Sequence, residues 1–140
     1  MMGKVFIVAA KRTPIGAFGG SLKNISAGDL AAVAIKGALE AAKLAGDKVD
    51  EVIVGNVVGA GQGMGVGRQA ALFAGIPESV PAYGVNMVCG SGMKTVMDAV
   101  SHIRSGDAEI VVAAGVESCL RFRLPHQAAF VMAIKWAIWS

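Results

Sequence analysis

Short apolar runs alternate along the chain with longer segments whose apolar residues recur at helical spacing. The first run, Lys4–Ala10, is apolar and rich in β-branched residues, which is typical of a buried strand. Three further runs predict strands at Glu51–Val54, Ala82–Asn86 and Glu109–Ala114. Strands of this length that alternate with helices are typical of a mostly parallel sheet covered by helices. The pattern therefore predicts the α/β class.

Three segments between these strands predict helices. Ser26 can cap the first helix, and Asp29 in its first turn lies favourably at the positive end of the helix dipole. Shorter and later helices are predicted around Arg68–Ala74 and at Gly90–Ile103. The apolar stripe predicted for the first helix comprises Leu30, Val33, Ala34, Gly37, Ala38, Ala41 and Leu44.

Composition bounds the chain to one modest domain that can bury a real core. Its 140 residues are 54% hydrophobic and 16% charged, which excludes a disordered segment. Ten Lys or Arg residues up to Ser118 are balanced by ten Asp or Glu residues. The three positive charges that remain, on Arg121, Arg123 and Lys135, lie beyond Ser118, where no acidic residue occurs. No basic face crosses the body of the chain, so we expect no nucleic-acid partner.

Neither a membrane span nor a secretory leader is expected. No apolar run approaches the roughly 20 residues that a membrane helix needs. Met1–Ala10 lacks the apolar region and the cleavage pattern of a signal peptide, so we expect a cytoplasmic protein. The two cysteines form no disulfide framework, and neither has a partner at the spacing of metal ligands, so no metal is predicted.

A glycine-rich loop at Gly55–Gly67 invites comparison with phosphate-binding loops. It contains neither G-x-G-x-x-G nor G-x-x-x-x-G-K-[ST], which disfavours a nucleotide-binding domain. The simpler interpretation is a tight backbone path that needs positive φ angles or a close approach between backbones.

Cys89 is the candidate for chemistry. It follows an apolar strand and precedes Gly90, Ser91 and Gly92, which open a helix. Backbone N–H groups at a helix start favour the reactive thiolate, and the Cys89 N–H can stabilise a tetrahedral oxyanion. A lone cysteine beside apolar residues is more often inert, so these residues by themselves leave both interpretations open.

No general base for Cys89 can be identified in the sequence. His102 lies thirteen positions later on the same predicted helix, which is about 20 Å away at 1.5 Å per residue. That distance is far outside hydrogen-bond reach. His126, the other histidine, lies in the atypical segment beyond Ser118.

At this point the sequence resembles the thiolase family. Val85–Val96 and the later Ile103 match the acyl-enzyme motif of that family, in the form V-N-x-x-C-G-S-G-M-x-T-V. Three further segments support the resemblance: Arg12–Leu22, Val58–Ala71 and Val111–Ser118. The resemblance covers Lys4 to Ser118 without a gap. The condensing enzymes of fatty-acid synthesis share the fold but match this motif less well.

The resemblance implies a fold, a reaction and a site. Thiolases are αβαβα sandwiches of two similar halves, assembled as dimers or tetramers, and this chain would supply an incomplete N-terminal half. They transfer acyl groups between coenzyme A thioesters through an acyl thioester on the cysteine that matches Cys89, without a prosthetic group. Two acetyl-CoA molecules would thus give acetoacetyl-CoA and coenzyme A, or the reverse. Which residues bind coenzyme A is not predicted.

The chain also departs from the family. The family's G-H-P histidine, N-E-A-F asparagine and C-G-G-G cysteine have no match, and Cys119 does not fit the last motif. We therefore predict that this chain alone is inactive, or that it only pairs with intact thiolase subunits. We divide the chain into a partial thiolase N-terminal domain, residues 1–118, and an atypical tail, residues 119–140. Reading the codons of Val131–Trp139 one nucleotide earlier forces glycine at two places and permits a thiolase-like stretch between them, which predicts a frameshift near Ser118. A divergent C-terminus is the alternative.

Overall fold

A computed structural model of the chain describes residues 4–17 and 19–118, together with the backbone of 127–136. Within these residues the chain forms five strands, three α-helices and one 3-10 turn at Gly46–Lys48. The strands are β1 (Val5–Arg12), β2 (Glu51–Gly55), β3 (Ala82–Val85), β4 (Ile110–Ser118) and β5 (Gln127–Trp136). The helices are α1 (Ala27–Ala42), α2 (Val66–Phe73) and α3 (Ser91–Ser105).

The strands form one mixed sheet in the order β1-β5-β4-β2-β3. Strand β2 pairs in parallel with both β3 and β4, whereas β5 runs antiparallel to β1 and to β4. Strands β1 to β4 therefore all point the same way, and their carboxyl ends share one edge of the sheet. The predicted α/β class is confirmed, with four of the five strands pointing the same way and β5 running against them.

Strand β5 was not predicted, because it lies in the segment treated as an atypical tail. Its backbone is inserted between β1 and β4, with Gln127 opposite Ser118 and Trp136 opposite Val5. Ladder pairing uses only backbone N–H and C=O groups, so it is compatible with many sequences. The division at Ser118 and the frameshift therefore stay predictions.

The core has two sides because strand side chains alternate between the faces of the sheet. On β4, Val112, Ala114 and Val116 are buried against α1 and α2. The intervening Val111 and Ala113 are buried on the opposite face, in a cluster with Ala99 and Ile103 of α3. The described residues thus form a helix–sheet–helix arrangement of three layers, with α3 alone on the second face.

Helix α1 begins as predicted but turns a different stripe inward. Ser26 Oγ accepts a hydrogen bond from the Asp29 N–H at 3.1 Å, which confirms the cap. The expected stripe included Val33, which is 63% exposed. The core takes a stripe shifted by about one residue, since close packing selects the face rather than apolar character alone. The buried residues of α1 are Ala27, Gly28, Leu30, Ala31, Ala32, Ala34, Ile35, Ala38 and Leu39.

Candidate active site

Cys89 lies at the edge of the sheet where the parallel strands end. It belongs to the connection between β3, which ends at Val85, and α3, which begins at Ser91, and it is exposed to solvent. In open α/β sheets, ligands bind outside the carboxyl ends of the strands. The predicted nucleophile is therefore at the edge where a substrate is expected to bind.

The connection is a tight turn with an unusual backbone. Gly90 donates its N–H to Met87 O at 3.0 Å, and Ser91 donates its N–H to Val88 O at 3.1 Å. Val88 has a φ of 51°, in the left-handed region that β-branched residues avoid. Such a conformation costs on the order of 1–3 kcal/mol and persists only where surrounding contacts hold it.

Two side chains hold this turn. The Ser91 hydroxyl accepts a hydrogen bond from the Met87 N–H at 2.9 Å and donates one to Val88 O at 2.6 Å. The Asn86 side-chain oxygen accepts the Val88 N–H at 3.0 Å. The backbone N–H and C=O of Val88, the residue before Cys89, are therefore both hydrogen-bonded to side chains. The sequence analysis did not identify these roles of Ser91 and Asn86, although a small polar residue on each side of the cysteine was a usable signal.

Helix α3 begins close to the ends of β2 and β4. Its N-cap, Gly90, provides no side-chain hydrogen bond to the helix. A Cβ on Gly55 would lie 2.5 Å from the carbonyl carbon of Ser91, and one on Gly115 would lie 3.1 Å from Gly92 Cα. Gly55 and Gly115 are register partners, so the two strands together form a flat seat for the start of the helix. The positive end of α3, which has no side-chain cap, therefore begins two residues after Cys89.

Thr95 fixes the first turns of α3 to the sheet. Its side chain is fully buried, and its hydroxyl lies 2.8 Å from Gly92 O and 3.2 Å from Ala114 O. A buried hydroxyl without a partner would be costly, so this contact specifies the position of the helix on β4.

A second loop, Asn56–Gly65, lies beside the cysteine turn at the same edge. Glu117, near the end of β4, accepts the Val57 N–H at 2.5 Å and the Val58 N–H at 3.3 Å. The Asn56 side chain donates to Val116 O at 3.0 Å, and Asn86 contacts Val57 O at 3.5 Å. The carboxylate of Glu117 therefore anchors this loop, which in turn contacts the cysteine turn.

The glycines of this loop serve the backbone path that the sequence predicts. Gly61, Gly63 and Gly65 all have positive φ, between 63° and 83°. At Gly67, a Cβ would lie 2.3 Å from Tyr83 O, so helix α2 can approach β3 only without a side chain there. Both reasons expected for the glycines are confirmed.

The sequence matches a known protein family over most of its length. A family model described as "Thiolase, N-terminal domain" matches residues 5–135. The chain belongs to the thiolase family. It is 50% identical over 129 residues to an acetyl-CoA acetyltransferase of Synechocystis and 55% identical over 117 residues to one of Cupriavidus necator. These matches cover 91% and 84% of this chain.

Solved thiolase structures share the fold. A thiolase from Ascaris suum in complex with coenzyme A superposes with a TM-score of 0.82 at 39% identity, over 84% of this chain. Human mitochondrial 3-ketoacyl-CoA thiolase in complex with CoA gives a TM-score of 0.82 at 41% identity, over 86%. The chain spans about a third of the length of these relatives, at 30–33% of the two acetyltransferases and 31% of each structure.

The other residues singled out in the thiolase chain do not join Cys89. His102 lies in the last turn of α3, where its Nδ1 is 2.8 Å from Glu51 Oε1. The predicted helix Gly90–Ile103 already places His102 near a helix end, but no sequence pattern indicates Glu51 as its partner. Cys119 and His126 lie outside the described residues. Among the described side chains, no imidazole accompanies the thiol.

Glu51 also faces Tyr83 on the neighbouring edge strand. The Tyr83 hydroxyl donates to Glu51 Oε1 at 3.3 Å. Partial burial, followed by the negative charge of Glu51, its hydrogen bond and the charge of Asp98, raises the pKa of Tyr83 to about 12. Tyr83 therefore stays neutral at physiological pH and acts as a hydrogen-bond donor here.

Metal binding and membrane crossing are assessed for the part of the chain that the structure describes, residues 4–17 and 19–118 and the backbone of 127–136. No group of three or more His, Cys, Asp or Glu side chains there is arranged to hold a metal ion. Among the described helices, none is long and apolar enough to cross a membrane.

Proposed function

We propose that Cys89 is the acyl-accepting nucleophile of a coenzyme A acyltransferase, an acetyl-CoA C-acetyltransferase. The observation that carries this proposal is the exposed thiol in a turn held by Ser91, just ahead of a helix start that has no side-chain cap. Buried cysteines are commonly inert, whereas an exposed thiol near a helix N-terminus has the environment of a reactive one. The acetyltransferase relatives, at 50% and 55% identity, support the choice of acyl group.

The proposed reaction has two steps. In the first, the Cys89 thiolate attacks the carbonyl carbon of acetyl-CoA, and the bond from that carbon to the coenzyme A sulfur breaks. Coenzyme A leaves as a thiolate that must be protonated. In the second, the α-carbon of another acetyl-CoA, after loss of a proton to a base, attacks the acyl group on Cys89. Acetoacetyl-CoA forms and the Cys89 thiolate is released, ready for another cycle; thiolysis is the reverse.

The turn suits the first step. A tetrahedral intermediate on Cys89 carries an oxyanion, and a backbone donor directed at such an oxygen is worth about 10²–10³ in rate. We propose the Cys89 N–H as one such donor. Coenzyme A thioesters are then substrates, with no prosthetic group required, and a cytoplasmic location follows the sequence prediction.

We further propose that this chain alone does not turn over. Proton transfer to or from the reacting groups needs a base within about 3 Å, or one water away. Among the described side chains the sole imidazole, on His102, lies thirteen residues after Cys89, in the last turn of α3, and is engaged with Glu51. General acid–base steps contribute about 10²–10⁴-fold each, so losing them removes nearly all catalysis.

The test measures the loss of acetoacetyl-CoA absorbance in the presence of coenzyme A. The 140-residue chain should show no turnover, and the product of a gene restored to frame at codon 118 should show it. A Cys89→Ala change in the restored protein should abolish that turnover. Full activity of the restored Cys89→Ala protein would refute the proposed nucleophile. Turnover by the unrestored chain that depends on Cys89 would refute the proposed inactivity.

A non-catalytic role in pairing is the second candidate, and the surface of β1 favours it. Phe6, Ile7 and Val8 are 41%, 56% and 41% exposed, an unusual run of large apolar side chains on an edge strand. Exposed apolar patches mark interaction sites or cause association. Co-expression with an intact thiolase, followed by size-exclusion chromatography, separates the two outcomes. Elution with thiolase subunits supports pairing, whereas a well-dispersed monomer with cooperative unfolding contradicts it.

The frameshift is a proposal about the gene that rests on the recoded stretch of Val131–Trp139 and on the composition of the tail. The segment beyond Ser118 contains three positive charges, both tryptophans and no acidic residue, unlike the balanced body. Resequencing the DNA across codon 118 tests it directly. An unbroken frame that encodes the present tail would overturn it.

A further inference from the structure

The strained residue ahead of the thiol carries an inference that rests on the proposed role of Cys89. Val88 has a φ of 51°, and it is neither a glycine nor an asparagine. A valine in the left-handed region relaxes toward extended or right-handed backbone unless neighbours prevent it. Relaxation at Val88 would rotate the next peptide unit, which contains the Cys89 N–H, and would displace the thiol.

We infer that Ser91 is a positioning residue that holds Val88 in this conformation and so presents Cys89. The Ser91 side chain is 4% exposed, and its hydroxyl uses both its acceptor and its donor capacity on the turn. It bonds the N–H of Met87 and the C=O of Val88, which flank the strained φ angle. Moving either group would leave a buried hydroxyl unsatisfied, at substantial cost.

The direction of these bonds separates Ser91 from an ordinary helix cap. A capping serine accepts an N–H of the helix that it begins, as Ser26 does for α1. Ser91 is already inside α3 and its side chain points back to the residues before Cys89. Asn86 assists by accepting the Val88 N–H, but Asn86 is exposed to water, which can replace it. The buried hydroxyl is the stronger constraint on the turn.

The experiment follows alkylation of the full 140-residue chain by iodoacetamide, with each cysteine quantified by peptide mapping. The rate for Cys89 is measured in buffer and again in urea, and the ratio of the two rates reports how the folded turn activates the thiol. Ser91→Ala should lower that ratio about tenfold, which corresponds to two hydrogen bonds of modest strength. Ser91→Thr keeps the hydroxyl and should stay within about twofold of the parent chain.

A double-mutant cycle distinguishes positioning from general stability. Glycine adopts positive φ without strain, so in a Val88→Gly background the hydrogen bonds of Ser91 have less strain to oppose. Ser91→Ala should then lower the ratio by only about twofold instead of tenfold. The matched control is Ser101→Ala, which removes an exposed hydroxyl bonded to Met97 O on the same helix and should leave the ratio unchanged.

Each outcome decides one question. A parent ratio at or below one would overturn the proposed nucleophile itself, independently of Ser91. A parent ratio above one that survives Ser91→Ala would overturn the positioning role and leave the nucleophile standing. An equal loss in both Val88 backgrounds would also overturn it, as a purely structural effect. If Ser91→Ala does not fold, the double variant with Val88→Gly must still fold and have an alkylation ratio within about twofold of that of Val88→Gly alone, or the inference fails.

Discussion

At its carboxyl end, helix α3 stops at Gly106, which has a φ of 89° and donates its N–H to carbonyls of the last turn. At its amino end the same helix follows Val88, which has a φ of 51° and a branched side chain. Both ends need a left-handed residue, but only the carboxyl end uses the residue that adopts this conformation freely.

The difference indicates what each end does. The Gly106 end is an unstrained stop, with Asp107 donating to His102 O at 3.0 Å. The Val88 end stores strain and offsets it with hydrogen bonds from Ser91 and Asn86, beside the exposed thiol. Strain maintained by its surroundings is concentrated at functional sites. The strain at the amino end of α3 therefore supports a functional role for Cys89, which lies beside it.

The largest expected effect comes from adding a side chain at Gly55, against which the amino end of α3 packs. Gly55→Ala would place a Cβ 2.5 Å from the Ser91 carbonyl carbon, so backbone must move. Overpacking of this kind costs about 2–3 kcal/mol, and we expect that loss in the free energy of unfolding measured by urea denaturation. The Cys89 alkylation ratio should fall with it, because Ser91 moves.

The matched change at the other end is Gly106→Ala. A Cβ there would meet no atom within 4 Å, so the cost is only that of positive φ, about 1 kcal/mol. The alkylation ratio should not change. If Gly106→Ala slowed Cys89 as much as Gly55→Ala does, the two ends would not be independent and the comparison would fail.

Much of this arrangement was predictable from the sequence, and the rest depends on contacts between distant segments. Strands β1 to β4, the three helices and the position of Cys89 followed from apolar periodicity and from the family motif, whereas β5 did not. The hydrogen bond from the Val57 N–H to the Glu117 carboxylate joins residues 60 positions apart, and no local pattern encodes it. The prediction that Val33 lies on the buried stripe of α1 was wrong for a related reason. Which face of the helix is buried depends on its neighbours in the fold, and periodicity does not reveal them.

A smaller effect is expected at Thr95, which secures the amino end to β4. Thr95→Val keeps the shape but removes the hydroxyl near Gly92 O and Ala114 O, so we expect a loss of about 1–2 kcal/mol in unfolding free energy. Ser101→Ala, at an exposed site, should change it by less than about 0.5 kcal/mol. Equal losses at the two sites would indicate that burial of Thr95 adds nothing to helix placement.

At the carboxyl end, His102→Gln tests whether the Glu51 pair matters to the thiol. The two side chains are 33% and 17% exposed, and partly exposed pairs contribute about 0–1 kcal/mol, so the loss of stability should be near 0.5 kcal/mol. Alkylation of Cys89 should be unchanged. A slower Cys89 in this variant would contradict the assignment of His102 to structure and reopen its role as a partner of the thiol.

The smallest effect concerns Tyr83, and it is confined to alkaline pH. Tyr83 is the single tyrosine of the chain, so tyrosinate absorbance reports on it alone. Its pKa is raised from 10.0 to about 12, first by burial and then by Glu51, which means that the unfolded chain loses this proton first as pH rises. Tyr83 therefore contributes a constant amount to folding stability below about pH 10, and stability should fall between about pH 10 and about pH 12.

Glu51→Gln removes the negative charge and should move the absorbance midpoint of Tyr83 down toward 10. Asp47→Asn, at an exposed site in the 3-10 turn, should leave the midpoint in place. A midpoint near 10 in the parent chain would mean that Tyr83 is neither buried nor in contact with Glu51 in solution, and would contradict its packing beside the pair of His102 and Glu51.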